Sequence, residues 1–184
     1  MKITAMSIPD VLMIEPQVFY DSRGYFLESF NQEKFENTLG RSIHFVQDNQ
    51  SHSVHKVLRG LHYQIGKPQG KLVRITSGEV FDVAVDMRQS SPTFGKWTGG
   101  ILSAENHRQL WIPEGFAHGF LVLSPTADLH YKATEFWYPA GERTIIWNDK
   151  NIGIEWPLSG QPIISEKDSQ GSSFETSEIF DGLK

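Results

Sequence analysis

Two stretches of this chain carry polar side chains where an ordinary strand would be apolar. Val57-Leu58-Arg59-Gly60-Leu61-His62-Tyr63-Gln64 sets an Arg and a His inside an apolar run. Ile112-Pro113-Glu114-Gly115-Phe116-Ala117-His118-Gly119-Phe120 leads a second His straight into the apolar segment Phe120-Leu121-Val122-Leu123. Polar groups in such places must be hydrogen-bonded or put to use. Imidazole titrates near neutral pH and also ligates metals, so proton transfer and metal binding are the chemistries to weigh for His62 and His118. A single His on an apolar face is most often a satisfied core residue. Here Arg59, His62 and His118 share the oddity, which weakens that bland reading.

The other candidate chemistries are thinner. The chain has seven histidines. His52 and His55 lie three apart in the polar stretch Gln50-Ser51-His52-Ser53-Val54-His55 and read as a solvated loop rather than a ligand pair. His107, in Ala104-Glu105-Asn106-His107-Arg108, reads as a surface turn. There is no cysteine, which excludes disulfides, thiolate metal sites and a cysteine nucleophile. Gly66-Lys67-Pro68-Gln69-Gly70-Lys71-Leu72 has its glycines too close for a phosphate loop, and no Ser or Thr follows the lysine. Neither the dinucleotide fingerprint Gly-x-Gly-x-x-Gly nor the hydrolase elbow Gly-x-Ser-x-Gly occurs.

The elements that must position these residues are mostly short strands broken by Gly, Pro and Asn. Gly24 to Phe30 alternates, with Tyr25, Leu27 and Ser29 on one face and Phe26, Glu28 and Phe30 on the other. Lys71 to Asp86 reads as a hairpin. Its first arm puts Lys71, Val73 and Ile75 on one face, Thr76-Ser77-Gly78-Glu79 makes the turn, and Phe81, Val83 and Val85 form the apolar face of the second arm. Further strands are expected at 44–50, 57–64, 109–112, 118–124, 129–136 and 143–147. A helix is expected at 32–39, capped by Asn31 and stopped by Gly40. Many strands with one or two short helices point to a mainly β sandwich or barrel. Residues 169–184 are polar and Ser-rich, and a loosely packed surface tail is the expectation.

The 184 residues fit one domain, with 39% apolar and 12% aromatic content. A net charge of -5 gives no electrostatic reason to expect duplex nucleic acid or an anionic membrane as partner. No window is apolar for long enough to span a bilayer. Met1 to Pro9 lacks an apolar core and a small-residue cleavage site, so a cytoplasmic location is expected. The sequon Asn49-Gln50-Ser51 is then read as chance.

Pro113-x-Gly115-x-x-His118 resembles the second conserved motif of the cupins, which are small jelly-roll barrels. Their first motif has a His-x-His pair followed by a Glu. Here it is His62-Tyr63-Gln64, with Gln in place of the second His and no evident Glu. His62 and His118 alone do not assemble a three- or four-ligand site. The resemblance therefore implies a cupin-like jelly-roll β-barrel without a metal.

A closer resemblance runs in order through nearly the whole chain, from about residue 3 to residue 168. It is carried by Asp21-Ser22-Arg23-Gly24-Tyr25-Phe26-Leu27-Glu28, Phe45-Val46-Gln47-Asp48-Asn49, Val57 to Gln64, and Gln69-Gly70-Lys71-Leu72-Val73-Arg74. It continues through Gly78-Glu79-Val80-Phe81-Asp82-Val83, Ser91-Pro92-Thr93-Phe94-Gly95, Gly115 to Phe120, and Ser165-Glu166-Lys167-Asp168. These segments resemble the dTDP-4-dehydrorhamnose 3,5-epimerases, with residues 3–168 as one domain. That family inverts two carbons beside a C4 ketone on a dTDP-linked sugar. The resemblance implies no cofactor, a homodimer, and N-terminal strands that cross between subunits.

It also implies roles. His62 is similar to the family's base. Asp168 would accept from its far ring nitrogen and fix the tautomer. Tyr131 matches the acid on the other face. Lys71 would lie near the C4 oxygen, where an ammonium stabilises an enolate. Arg23 and Arg59 resemble diphosphate ligands, since guanidinium forks suit phosphate oxygens. Gln47 and Asn49 share a strand face and could both point inward. Glu28, His118, Glu142 and Lys167 match other substrate-contacting positions. Phe19 and one ring of Trp137 and Tyr138 would hold the thymine by stacking. Taken singly, each residue has a plain structural reading: Arg23 as a turn residue, Glu28 as a surface partner for a lysine, Asp168 as a cap. An enzyme that inverts C3 or C5 alone on another dTDP-4-keto-deoxysugar would carry the same catalytic pair. A metal-dependent cupin would need a bound metal. A pure binding module would not need His62, Tyr131, Asp168 and Lys71 together.

Overall fold

The computed structural model describes residues 1–183. Thirteen strands and two short helices follow one another. The strands are β1 (Lys2–Ala5), β2 (Leu12–Glu15), β3 (Val18–Asp21), β4 (Gly24–Leu27), β5 (Gln47–Val54), β6 (Leu58–Gln64) and β7 (Lys71–Ser77). They continue as β8 (Glu79–Asp86), β9 (Trp97–Ser103), β10 (Gln109–Ile112), β11 (Phe116–Val122), β12 (Thr126–Ala133) and β13 (Glu142–Thr144). Helix α1 spans Gln32–Leu39 and α2 spans Glu166–Ser169.

Most of the strands form two facing sheets. One has six strands in the order β1-β2-β10-β7-β12-β5, the other five in the order β13-β6-β11-β8-β9. Strands β3 and β4 pair only with each other. Every strand pair within the sheets is antiparallel. This is the jelly-roll arrangement, although the two sheets are not hydrogen-bonded into one closed barrel.

Side-chain alternation builds three apolar layers. Between the sheets, Val73, Ile75, Leu110 and Leu129 meet Val80, Ala84, Phe116 and Phe120. On the outer face of the six-stranded sheet, Leu72, Ile14 and Trp111 receive Phe35 from α1. That helix forms as expected. The Asn31 side chain accepts from the Lys34 N–H at 3.0 Å, and Gly40 stops it in the left-handed region at φ 66°. The outer face of the five-stranded sheet, with Leu61, Tyr63, Val83 and Val85, is covered by Ile152, Trp156, Phe174 and Phe180.

That last layer corrects the expectation of a loose tail over 169–184, of which Lys184 lies outside the described residues. Phe180 is buried and exchanges backbone hydrogen bonds with Met87 and Gln89. The Tyr63 hydroxyl donates to the Glu178 carbonyl at 2.7 Å. Spaced apolar residues in a polar segment suffice here, because the sheet beneath would otherwise expose its own apolar face.

The Lys71–Asp86 hairpin is corrected as well. Strand β7 pairs with β10 and β12, whereas β8 pairs with β9 and β11, so the two arms lie in opposite sheets. The chain turns a corner between them at Gly78, whose φ is 75°. A Cβ there would sit 2.0 Å from the Thr126 carbonyl oxygen, so only glycine fits this corner. A hairpin turn and a corner between sheets look alike in sequence, because both need a tight glycine turn between apolar arms.

Candidate active site

His62 and Tyr131 come from opposite sheets and line one cavity of about 270 Å³. His62 is on β6 of the five-stranded sheet, opposite His118 of β11. Tyr131 is on β12 of the six-stranded sheet, paired with Asn49 of β5 and Val73 of β7. Gly60 lets β6 and β11 approach beside His62. A Cβ there would lie 2.6 Å from the Gly119 Cα.

The His62 Nε2 lies 2.5 Å from Asp168 Oδ1. Asp168 sits in α2, where Ser165 caps the helix by accepting from the Asp168 N–H at 3.1 Å. Burial alone would raise the Asp168 pKa. The hydrogen bond and charge of His62, with help from Ser165 and the Gly60 N–H, outweigh that and hold it below the ordinary value. An ionised Asp168 accepts the Nε2 proton, which leaves the lone pair of the unprotonated imidazole on Nδ1.

Lys71 opens β7 and is almost wholly buried. Its Nζ donates to the His62 carbonyl at 3.3 Å. Desolvation pulls its pKa down to about 8, against the opposing pull of Asp82 and Glu142. Tyr131 is pushed the other way. Burial, then the charge of Glu142, raise its phenol above the ordinary value and keep it protonated.

Arg59, Asn49, His118, Glu142 and Trp137 line the same cavity. Arg59 Nε donates to Ser53 Oγ at 3.0 Å. Gln47 bonds Asn49 Oδ1 at 2.9 Å, while Asn49 Nδ2 is buried without a partner. Lys167 pairs with Glu142 at 2.7 Å. Of the two candidate rings, Trp137 lines the cavity. Tyr138 packs against Gly66 instead, with Lys67 Nζ 5.9 Å from its ring.

Phe19, Arg23 and Glu28 are not brought to this cavity, whereas Gln47, Asp168 and Lys167 stand behind its lining, bonded to Asn49, His62 and Glu142. Phe19 and Arg23 lie on the β3–β4 hairpin, where Phe19 is exposed and Arg23 pairs with Asp21 at 2.6 Å. Glu28 follows β4 and pairs with Lys34 at 2.7 Å. The hairpin pairs with neither sheet, and none of Phe19, Arg23 and Glu28 lines the cavity.

Sequence reasoning also missed residues. Asp82 is fully buried and lies 3.0 Å from His118 Nε2 through each carboxylate oxygen. Its signal was available: an Asp inside the apolar run Val80 to Val85. Gln64 holds backbone. Its Nε2 donates to the carbonyls of Lys67 at 2.5 Å and Phe136 at 3.0 Å, and its Oε1 accepts from the Tyr138 N–H at 3.1 Å. The position where a metal cupin has a second histidine is thus committed to the chain itself. Among the described residues no three His, Cys, Asp or Glu side chains gather as a ligand set. His52 pairs with Asp128 at 2.7 Å, and His107 stacks on Tyr25.

Comparison with known proteins is decisive on kinship. A family model described as dTDP-4-dehydrorhamnose 3,5-epimerase matches residues 5–176. The chain is 59% identical over 180 residues to such an epimerase of Pseudomonas aeruginosa, covering 98% of this chain and 99% of that one. It is 60% identical over 170 residues to one of Salmonella typhimurium, covering 92% and 93%. A crystal structure of the dTDP-6-deoxy-D-glucose-3,5-epimerase of Legionella pneumophila, in complex with dTDP-4-keto-L-rhamnose, superposes with a TM-score of 0.94. It shares 50% identity and covers 96% of this chain and 94% of that one. This chain therefore belongs to the dTDP-4-dehydrorhamnose 3,5-epimerase family.

Proposed function

We propose that this chain inverts C3 and C5 of dTDP-4-dehydro-6-deoxyglucose to give dTDP-4-dehydro-L-rhamnose, a step of dTDP-L-rhamnose formation. The observation that carries the reading is the placement of the His62–Asp168 pair and Tyr131 on opposite walls of one cavity. A racemising proton transfer needs a base on one face of the carbon and an acid on the other.

The C4 ketone acidifies the neighbouring C–H bonds. His62 takes the proton from C3 or C5, the C–H electron pair moves into an enolate, and the charge gathers on the C4 oxygen. The Lys71 ammonium, desolvated and therefore strongly felt, stabilises that oxygen. The Tyr131 phenol then returns a proton to the same carbon from the opposite face. Its raised pKa keeps the proton in place until the enolate develops. The imidazolium and phenolate are reset by exchange with solvent. Asp168 positions the base rather than reacting.

The remaining residues bind. Arg59 takes the diphosphate, and Trp137 stacks on the thymine. Asn49, Gln47, His118, Glu142 and Lys167 surround the sugar, with Asn49 Nδ2 offering a free donor. The chain works as a homodimer in the cytoplasm. Exposed Phe19, Tyr20, Tyr25 and Phe26 on the β3–β4 hairpin supply an apolar surface for a second copy, whose cavity would receive Phe19, Arg23 and Glu28. Sedimentation of the pure protein tests this, and a monomer at working concentration would contradict it.

The test of the reaction is incubation of substrate with the wild-type protein in deuterated water. Label at both C3 and C5 of inverted product is expected. Label at C3 alone would make the chain a monoepimerase, and no label would remove the assignment.

A further inference from the structure

The loop after β12 carries three neighbouring rings, Phe136, Trp137 and Tyr138, exposed by 57%, 59% and 38%. No strand ladder pairs this segment, so its peptide groups need other partners. Glutamine side chains supply them. The Glu135 carbonyl accepts from Gln69 Nε2 at 2.7 Å. The Phe136 carbonyl and the Tyr138 N–H are taken by the two ends of the Gln64 amide at 3.0 and 3.1 Å. The Trp137 N–H donates to Gln47 Oε1 at 3.0 Å.

We propose that Gln64 and Gln69 are positioning residues that, with Gln47, clamp the 135–138 loop so that Trp137 stands ready as the platform for the nucleotide base. The proposal rests on the epimerase reading above and extends it to residues that reading leaves without a role. An amide is the one neutral side chain with a donor and an acceptor side by side, so Gln64 can hold a carbonyl and an N–H of the same loop at once. Gln64 is itself buried, which fixes its rotamer. It also lines the cavity with Gln69 and Trp137. An exposed tryptophan on a free loop would lose conformational entropy on binding. A loop already held loses little, so the clamp raises affinity through preorganisation.

The readout is calorimetric binding of dTDP together with steady-state kcat and KM, on the full chain. Gln64→Leu leaves the Phe136 carbonyl and Tyr138 N–H without partners. It is expected to weaken dTDP and raise KM by about tenfold, with kcat within about threefold. Gln69→Leu gives up one bond at a half-buried position and is expected to weaken dTDP by about threefold. Should Gln64→Leu fail to fold, Gln69→Leu decides. Trp137→Ala serves as reference. If it binds dTDP as wild type does, the reading of Trp137 as the base platform is wrong and the clamp falls with it. If Trp137→Ala loses affinity while the glutamine variants keep it, or if they lose kcat with KM intact, the clamp alone is overturned.

Discussion

His62 Nε2 and Asp168 Oδ1 lie 2.5 Å apart although the residues are 106 positions apart in the chain. Asp168 is held by a helix of only four residues, whose cap Ser165 bonds its backbone N–H. The short helix therefore decides which nitrogen of His62 carries the proton. Asp168→Asn keeps the shape but removes the charge that demands an N–H partner. The account predicts a fall in kcat of about two to four powers of ten, while His62→Ala abolishes exchange of substrate protons altogether. Single-turnover exchange in deuterated water checks both, and near wild-type exchange by His62→Ala would place the base elsewhere.

Lys71 gives the reaction a pH limb. Burial lowers its pKa to about 8, so the ammonium is present below that value and lost above it. The profile of kcat/KM, which reports the free enzyme, should fall as pH rises through about 8. Lys71→Arg should carry that limb upward, because a guanidinium stays charged. Lys71→Met should remove it and cost about two to three powers of ten in rate. The same limb in Lys71→Met would show that another group titrates.

Activity should survive exhaustive chelation. The motive is that the Gln64 amide is spent on the backbone of Lys67, Phe136 and Tyr138, and that His62 and His118 are each held by a carboxylate. Assay after prolonged dialysis against a strong chelator is the check. Loss of activity with rescue by a divalent ion would contradict the expectation.

Much of this site is legible in the sequence. Arg59 and His62 stood out as polar residues in an apolar strand, and they do share a cavity with Lys71, His118 and Tyr131. Helix α1 was legible because Asn31 and Gly40 mark its two ends chemically. Strand β9 was not, because Gly99 and Gly100 interrupt its β-forming residues. The break between β7 and β8 was hidden for a different reason: which sheet a strand joins depends on distant partners such as β10 and β11, not on its own residues. Phe19, Arg23 and Glu28 carried the right residue types, yet they lie on or just after a hairpin that pairs with neither sheet, away from the cavity. The tail misled because its covering role depends on a few spaced apolar residues, Phe174, Ile179, Phe180 and Leu183, among many polar neighbours.

The central claim is that two faces of one carbon are served by two side chains on opposing sheets, and Tyr131→Phe tests it most directly. The variant removes the proton donor while leaving the His62–Asp168 pair untouched, since Tyr131 belongs to the other sheet. Deuterium wash-in at C3 and C5 and the stereochemistry of the recovered sugar are measured on the same sample. The account predicts continued wash-in, by abstraction and return on the His62 face, with inversion reduced by about two to four powers of ten. Inversion at the wild-type rate by Tyr131→Phe would contradict it.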